Sequence, residues 1–452
     1  MDNAAPSQVR VGTALLGLAL VTGLALRLAP ILLADFPLND GGLFVTMARD
    51  IRNAGFGLPE FSTYNTGEVP FAYPPLGLYV LALVPGDPIS TERWLPLVWS
   101  MLAIPGAYLL ARELIDERRA GLTALIFAAM PVTWAIEGAG VTRALAFALL
   151  LWTLWRVAAL LKTPGVRDAL VAGILGGAAI LTHPAVGPAG LASAALLFVF
   201  APSRRGFAAI AGAGLLAAAV VAPWLTMTWL RYGPESLIAA ASSHQTENAL
   251  GRLLTFGPSW IGTLDFILPL ALLGVAMVAH RRQWLLPAWV LLMMIVPGGE
   301  GRYAAVAWAM LAATGAALVW DAVATQAALK VAAVIGFAWL FFASLGAGYN
   351  TFGAIPAGVR EAMVSAGRQV PTTTRFAVVS DSGALEHSVL DWFPTLSGQV
   401  SVGTFMGLEW TTSEQWDAAV ALSHRIQQGE IPASADYVFT IEGGSATWAP
   451  AR

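Results

Sequence analysis

Two aspartates stand where the first long apolar run of the chain ends, in the stretch RLAPILLADFPLNDGGLFVTMARD, residues 27–50. Asp40 is followed by two glycines and a short amphipathic segment. A carboxylate placed there can act as general base toward an acceptor hydroxyl. It can equally cap the helix that follows, and a capping carboxylate is a poorer base because backbone N–H bonds lower its pKa. Asn39 is an alternative cap, and Asp35 is expected to be structural.

The conspicuous ionisable side chains, Asp35 and Asp40 among them, fall at the outer ends of the apolar segments. The centres of these segments are almost uncharged. Ionisable groups in membrane segments are costly and tend to be functional. Guanidinium groups offer paired donors that match phosphate oxygens, so a surface of this kind suits chemistry on a lipid-linked anion. The residues are Arg27, Asp35, Asp40, Glu137, Arg143, His183, Glu300 and Arg302.

Structural interpretations compete with each of these roles. Arg27 is expected to extend to the membrane interface or to pair with Asp35. Glu137 either pairs with Arg143 or takes part in chemistry, and Glu300 is expected to neutralise Arg302.

Histidines and aromatic residues have similar alternatives. His183, which precedes a proline, and His244 are both expected to be structural, although His183 is kept as a candidate substrate contact. The aromatic residues of the first loop can stack on sugar faces or hold that loop at the interface, where Tyr and Trp are common. These aromatics are Phe61, Tyr64, Phe71 and Tyr73, of which Tyr64 and Tyr73 are the candidate substrate contacts.

Composition places the chain among polytopic membrane proteins. Of its 452 residues 57% are hydrophobic and only 12% are charged, whereas soluble domains carry about 25% charged residues. The net charge of −3 and the lack of a long basic run make nucleic acid an unsuitable partner. There are no cysteines, so disulfides and thiolate sites are excluded. No His, Asp and Glu spacing predicts a dedicated metal site; a divalent ion at Asp40 and Glu137 is compatible with the residues but unsupported.

Apolar runs predict about 11 transmembrane helices, counted against the ~20 residues that a span needs. The prolines of PPLGLYVLALVPG, residues 74–86, favour a re-entrant or surface-lying segment. If the N-terminus is cytoplasmic, the short loops that carry basic residues fall on the cytoplasmic side, and the opposite short loops have few of them. The predicted spans are 11–34, 94–111, 120–136, 141–161, 168–183, 185–201, 206–229, 263–279, 284–297, 303–320 and 328–348.

This layout leaves outer segments at 35–93 and 230–262 and an outer C-terminal portion from about 349. Apolar residues at helical spacing in DGGLFVTMARDIRNAG predict a short interfacial helix in the headgroup plane. RFAVVS (375–380) and DYVFTI (436–441) are typical of strands, and 413–428 of an amphipathic helix. The expected domains are a transmembrane domain, 1–348, with the site in its first outer loop, and a small extracytoplasmic α/β domain, 349–452.

The order of motifs in the first 200 residues resembles that of GT-C glycosyltransferases. The carrying stretches are NDGGLFVTMARDI, PFAYPPLGLYVLAL and ERWLPLVWSMLAIPGAYLLARELIDERRAGLTALIFAAMPVTWAIEG. They resemble the bacterial relatives of protein O-mannosyltransferases and the aminoarabinose transferase that acts on lipid A. GRYAAVAWAMLAA, residues 301–313, resembles a later Arg-Tyr element of these proteins.

That resemblance implies a GT-C-like fold, a polyprenyl-phosphate sugar donor, an extracytoplasmic site and inversion at the anomeric carbon. It makes Asp40 the catalytic acidic residue, and Arg302 with Tyr303 a donor-phosphate element. Where relatives often carry a second Asp at the start of the fourth span, this chain has Arg143, with Glu137 six residues earlier. Glu137 is therefore the candidate for the second acidic role, and Arg143 for a second phosphate contact.

Two function classes remain open on the sequence. The first is a membrane glycosyltransferase with a lipid-linked donor, no required cofactor, and a glycan, lipid or protein as acceptor. The second is a non-catalytic membrane protein, either a transporter of lipid-linked oligosaccharides or a scaffold that binds a partner through its outer domain. The nearly uncharged midplane of the spans disfavours transport, because transporters place binding residues near mid-depth.

Overall fold

The structure is a computed structural model that describes residues 6–136, 140–243, 267–296, 301–349, 353–381 and 383–451. The chain forms two compact units, each assembled from three separate segments. The helical unit comprises Met1–Pro30, Pro96–Ala222 and Glu247–Thr351, and the mixed unit comprises Ile31–Leu95, Pro223–Thr246 and Phe352–Arg452. The first outer loop therefore groups with the C-terminal portion, which begins at Phe352 in this division, and the two expected domains, 1–348 and 349–452, stay a prediction.

Helices make up most of the described chain. Their bounds are α1 (Pro6–Leu33), α2 (Gly42–Asn53), α3 (Leu76–Leu83), α4 (Pro88–Leu114), α5 (Glu117–Ala129), α6 (Val141–Lys162), α7 (Val166–Ile180), α8 (Val186–Phe200), α9 (Arg204–Ser242), α10 (Leu268–His280), α11 (Leu285–Ile295), α12 (Ala305–Val323), α13 (Ala327–Tyr349), α14 (Ala357–Gln369), α15 (Gly383–Ser397) and α16 (Ser413–Gln427). A π-helix covers Val132–Ile136, and 3-10 helices cover Gly301–Ala304 and Leu408–Trp410.

In the part of the chain that the structure describes, five helices are long and apolar enough to cross a membrane. Shorter apolar helices accompany them at α8, α10, α11 and Ala327–Ala343. Helix α9 continues past the predicted end of its span at residue 229 and is kinked at Gly233, whose φ is +76°. The five are Gln8–Leu33, Pro88–Leu114, Val141–Lys162, Arg204–Ser242 and Arg302–Val323. The polytopic helical architecture is confirmed, and the total of about eleven spans stays a prediction.

Small residues allow two helices of the helical unit, α10 and α12, to pack closely. A Cβ on Gly274 in α10 would overlap the carbonyl of Leu311 in α12, and a Cβ on Gly315 would overlap the carbonyl of Leu270. Membrane helices commonly use glycine and alanine in this way, because association in lipid depends on close packing.

Arg27 is buried inside the helical unit and joins three of its helices, α1, α4 and α5. Its Nη1 donates to the carbonyl oxygens of Gly23 (3.2 Å) and Ala128 (3.0 Å), and its Nε donates to the hydroxyl of Ser100. Only 2% of the residue is exposed. The expectation that Arg27 extends to the interface is wrong, because neighbouring helices supply the acceptors that water would otherwise provide.

The C-terminal segment of the mixed unit forms a four-stranded sheet covered by helices. Its strands are β3 (Arg375–Ser380), β4 (Val400–Ser401), β5 (Tyr437–Glu442) and β6 (Ser445–Pro450), following β1 (Phe61–Ser62) and β2 (Val69–Pro70) of the first loop. The strand order is β4-β3-β5-β6, parallel except for the antiparallel pair β5–β6. The side chain of Asn65 pairs with the outer backbone groups of Ser401: its Oδ1 accepts the N–H (2.8 Å) and its Nδ2 donates to the carbonyl (3.1 Å).

Helix α2 forms where its amphipathic pattern predicts it, but its apolar face meets protein. Leu43, Met47, Ala48 and Ile51 are buried, and α2 packs against α3 and α15. Helices of the same unit cover this face, and the position of α2 in the headgroup plane stays a prediction. The segment 74–86 contains only the eight-residue helix α3, too short to span a bilayer.

Candidate functional site

Asp40 lies immediately before helix α2, and its side chain is half-buried. The residue at the N-cap position is Gly41, which has no side chain to close the first turn. A helix start leaves its first backbone N–H groups without partners inside the helix. The question raised by the sequence is therefore which group accepts those N–H donors.

The acceptor is the carboxylate of Asp391, which lies on α15 and is 2% exposed. Its Oδ2 accepts the backbone N–H groups of Gly41 and Gly42, both at 2.6 Å, and its Oδ1 accepts that of Leu43 at 3.0 Å. The capping role that the sequence allowed to Asp40 or Asn39 belongs instead to a residue far along the chain. No sequence argument had singled out Asp391.

Residues on either side of Asp391 hold the same turn. The Nε1 of Trp392 donates to the carbonyl of Asn39 (3.0 Å), and the hydroxyl of Thr395 donates to the carbonyl of Gly42 (2.8 Å). The backbone N–H of Asn39 also donates to the carbonyl of Gly353 (2.9 Å). Both chain neighbours of Asp40 are therefore fixed by the C-terminal segment.

The charge state of Asp391 reflects its surroundings. Burial, together with the negative charge of Asp40, raises its pKa to about 6. The N–H groups of residues 41–43 act in the opposite direction, because they stabilise the ionised form. Asp40 and Asp391 are therefore close enough to interact electrostatically.

Two further carboxyl groups are buried near this turn. A Cβ on Gly41 would lie 3.2 Å from Oε1 of Glu92, which belongs to the first turns of α4 and is 2% exposed. Glu409 is buried in the 3-10 helix Leu408–Trp410, and burial, together with the charge of Asp391, raises its pKa to about 7. Neither was a sequence candidate, although Glu92 stands within a stretch that carried the resemblance.

Tyr64 and Tyr73, the candidate substrate contacts, are both buried in the mixed unit. The hydroxyl of Tyr64 donates to the backbone carbonyl of Asp391 (2.8 Å) and approaches its Oδ1 (3.2 Å). The ring of Tyr73 packs against Phe44 (5.0 Å between centroids) and Trp410 (5.8 Å). These contacts support the loop, and a contact of either residue with substrate stays a prediction.

Asp35 has the structural role expected of it, with a partner that the sequence did not suggest. Arg360 of α14 binds it at 2.5 Å, and this hydrogen bond lowers the pKa of the Asp35 carboxyl. Its partner is therefore Arg360 and not Arg27.

In the helical unit, the elements that carry the predicted phosphate contacts adjoin each other. Arg143 lies in the first turn of α6, one turn before Phe147. The ring of Tyr303 stands 6.2 Å from that of Phe147, and the guanidinium of Arg302 lies over the Tyr303 ring at 5.4 Å. The partial positive charge at a helix N-terminus adds to that of Arg143. This neighbourhood suits an anion.

His183 has a local contact just beyond α7. Its Nδ1 accepts the backbone N–H of Ala185 at 3.3 Å, as expected of a residue that shapes a turn. Glu137, Glu300 and His244 lie outside the described residues. Within the described ranges, no group of three or more His, Asp or Glu side chains is arranged to hold a metal ion.

A cavity of about 590 Å³ lies within the mixed unit. Aromatic and polar side chains from the first loop, the end of α9 and the C-terminal segment surround it. They include Phe61, Glu68, Tyr232, Glu235, Trp410 and Gln415.

Comparison with known proteins gives the class of this fold. Residues 72–227 match the family model described as dolichyl-phosphate-mannose-protein mannosyltransferase. No curated protein sequence matches the chain.

Solved structures match over nearly the whole chain. ArnT from Cupriavidus metallidurans bound to undecaprenyl phosphate is 13% identical, with a TM-score of 0.57, covering 97% of this chain and 93% of that one. The oligosaccharyltransferase of Archaeoglobus fulgidus in complex with Zn and sulfate is 14% identical, with a TM-score of 0.57, covering 94% and 67%. AglB from the same organism, with an inhibitory peptide and a dolichol-phosphate, is 13% identical, with a TM-score of 0.52, covering 95% and 69%.

These matches define the class of fold. The chain has the fold of these structures, and the resemblance of the sequence to GT-C glycosyltransferases is confirmed.

Proposed function

We propose that this chain is a membrane glycosyltransferase that moves a sugar from a polyprenyl-phosphate donor to an acceptor hydroxyl, on the extracytoplasmic face and with inversion. The GT-C fold and the family match support the reaction class. The structures of ArnT and AglB hold undecaprenyl phosphate and a dolichol-phosphate, which supports a donor of that kind here.

Asp40 is the general base. One observation carries this assignment: the first N–H groups of α2 bind Asp391, so the start of the helix does not depend on the Asp40 carboxylate. Asp40 takes the proton of the acceptor hydroxyl while the acceptor oxygen attacks the anomeric carbon of the donor sugar. The bond from that carbon to the phosphate oxygen breaks on the opposite face, and the lipid phosphate leaves with the electron pair. The acceptor hydroxyl becomes acidic only in the transition state, so a carboxylate suffices.

Arg143 and Arg302 bind the donor phosphate and stabilise its charge as it leaves. Cationic groups aimed at the developing charge replace the general acid that a poorer leaving group would need. The packing of Tyr303 against Phe147 supports this role, because it brings the 3-10 helix that holds Arg302 against α6, whose first turn holds Arg143. Glu137 remains the candidate for a second acidic role.

The cavity of the mixed unit is the proposed acceptor site. Its aromatic rings offer faces for sugar or apolar groups, and its carboxylate and amide groups offer hydrogen bonds to hydroxyls. Two carboxylates, Glu68 and Glu235, line the cavity beside one cation, Arg375, and this excess of negative charge disfavours a strongly anionic acceptor.

The test is turnover by the purified full-length chain in lipid nanodiscs. Undecaprenyl-phosphate mannose and undecaprenyl-phosphate aminoarabinose serve as donors, an envelope extract supplies acceptors, and release of undecaprenyl phosphate is measured. We expect Asp40→Asn to lower turnover by about 10²–10⁴-fold, the usual contribution of a general base. Binding of undecaprenyl phosphate should remain unchanged in this variant, and should weaken in Arg143→Gln and Arg302→Gln.

Asp35→Asn is the matched control. It changes an acidic residue of the same loop whose carboxylate binds Arg360, and it should keep wild-type turnover. Undiminished turnover in a folded Asp40→Asn variant would falsify the assigned base. Movement of labelled undecaprenyl-phosphate mannose across liposome membranes, without loss of its sugar, would favour the transporter instead.

A further inference from the structure

We propose that Asp391 is a positioning residue for the catalytic base: through it, helix α15 holds the turn at residues 39–43 and sets the direction of the Asp40 carboxylate. This inference rests on the role of Asp40 under the proposed function. It assigns the C-terminal segment a part in the reaction that does not depend on binding an acceptor.

Asp391 binds the turn through both of its carboxylate oxygens, with two backbone N–H donors at Oδ2 and one at Oδ1. Bonds from N–H groups to a charged oxygen are stronger than neutral ones. An asparagine of the same shape would offer one acceptor oxygen and would turn an NH₂ group toward a backbone N–H. The site therefore requires a carboxylate and not merely a polar side chain.

The turn is held on both sides of Asp40. Asn39 has a left-handed backbone, φ +61°, which is uncommon outside glycine but tolerated best by Asn and Asp. The Nε1 of Trp392 donates to the Asn39 carbonyl. The backbone N–H of Gly353 donates to the Asn39 side chain, and the Gly353 carbonyl accepts the Asn39 N–H. With residues 39 and 41 both fixed, little rotation remains in the backbone that carries the Asp40 side chain.

The two glycines that follow Asp40 leave room for the residues of α15 that contact them. A Cβ on Gly42 would overlap the backbone carbonyl of Asp391, and one on Gly41 would lie 3.0 Å from the ring of Trp392. The pair Gly41-Gly42 therefore permits α15 to approach the start of α2. The same contact that excludes side chains from these positions brings the Asp391 carboxylate to the N–H groups.

Displacements of about 1 Å at a catalytic group can cost about 10²-fold in rate, even when the mutated residue lies away from the chemistry. Asp391→Asn should therefore lower kcat while leaving the affinity for undecaprenyl phosphate unchanged. A residue needed only for folding would lower the amount of folded protein and would not change turnover per folded molecule.

The experiment measures two properties of the full-length chain in nanodiscs. Hydrogen–deuterium exchange is measured at the amides of residues 41–43, and turnover is measured with the two undecaprenyl-phosphate sugars. For Asp391→Asn we expect exchange at these amides to rise about tenfold, because a hydrogen bond to each is weakened. We expect kcat to fall by about 10²-fold. Gly42→Ala should reproduce both effects without altering any ionisable group.

Two matched variants serve as controls. Asp50→Asn changes another buried aspartate that also accepts three hydrogen bonds, near the other end of α2, and its exchange effect should be confined to the amide of Thr63. Gly358→Ala adds a Cβ in α14 where no atom lies within 4 Å, and it should leave both readouts at wild-type values.

Unchanged exchange at residues 41–43 in Asp391→Asn overturns the proposal, and so does increased exchange with unchanged kcat. The exchange measurement needs no substrate. A wrong assignment of Asp40 would appear separately, as full turnover in Asp40→Asn while Asp391→Asn still loosens the turn.

Discussion

A buried aspartate connects each end of helix α2 to another segment, and the two connections differ in the distance that they span along the chain. Near the C-terminal end, Asp50 accepts the hydroxyl of Ser62 (2.7 Å) and both the N–H and the hydroxyl of Thr63 (2.9 and 2.6 Å). At the N-terminal end, Asp391 reaches the helix from the C-terminal segment. One end is thus organised within its own loop, and the end next to Asp40 depends on a distant part of the sequence.

This difference indicates which end can be changed from a distance. The contact of Asp50 forms whenever the loop folds on itself, because the loop to be closed is short. The contact of Asp391 forms only after the sheet and α15 are assembled. The geometry beside Asp40 is therefore conditional on the folded C-terminal segment.

The largest expected effect comes from truncating each aspartate to alanine. Asp391→Ala leaves three buried N–H groups without their acceptor, and each such group costs about 1–3 kcal/mol. We expect the free energy of unfolding of the mixed unit to fall by at least about 3 kcal/mol, and by less for Asp50→Ala, because the Thr63 hydroxyl can turn toward water. Tryptophan fluorescence during thermal unfolding in nanodiscs measures both. An equal or reversed order would remove the distinction between the two ends.

A smaller effect is expected from pH. Burial raises the pKa of Asp391 to about 6, above the ~3.9 of an exposed aspartate. The folded state therefore holds this proton more tightly, so the stabilisation is fully present below about pH 4 and is lost as pH rises through about 6. The apparent Tm should fall between pH 4.5 and 7 more steeply in the wild type than in Asp391→Asn.

Other titratable groups near Asp391 set the control for that measurement. Asp40, Tyr64 and Glu409 interact with it electrostatically. Because the pKa of Glu409 is about 7, it adds a similar dependence at slightly higher pH, which Glu409→Gln removes. If Asp391→Asn has no effect on the pH slope in that background, the Asp391 carboxyl is not the buried acid described here.

The smallest expected effect is that of Tyr64→Phe. The substitution removes the hydroxyl that donates to Asp391 but keeps the ring and the carboxylate. A loss of about 1 kcal/mol in stability is expected for one hydrogen bond, with a decrease in turnover smaller than that of Asp391→Asn. Parallel assays of the two variants decide this. A larger loss of turnover in Tyr64→Phe would instead indicate the substrate contact that the sequence suggested for Tyr64.

Much of the architecture could be predicted from local patterns. Apolar runs predicted the helices, and alternation predicted strands at 375–380 and 436–441, where β3 (375–380) and β5 (437–442) form. The amphipathic spacing after Asp40 predicted α2, but spacing does not tell protein from lipid as the partner of an apolar face. That is why the packing of this face against α3 and α15 was not predicted.

The site could be predicted only in part. The position of Asp40 after an apolar run was visible, whereas its relation to Asp391 depends on a contact between distant segments. A signal did exist: Asp391 is a lone carboxylate among Leu390, Trp392 and Phe393, and an acidic residue on an apolar helix face needs a partner. Arg27 carried the same kind of signal, and its buried partners likewise come from other helices.

The amide of Asn65 has a consequence for association between molecules. Strand β4 is the last strand on its side of the sheet, and the N–H and carbonyl of Ser401 point away from β3. Unpaired groups on an edge strand can recruit a strand from another chain, which leads to aggregation. Asn65 occupies both groups as a neighbouring strand would, so the first loop closes this edge and protects the protein against intermolecular sheet extension.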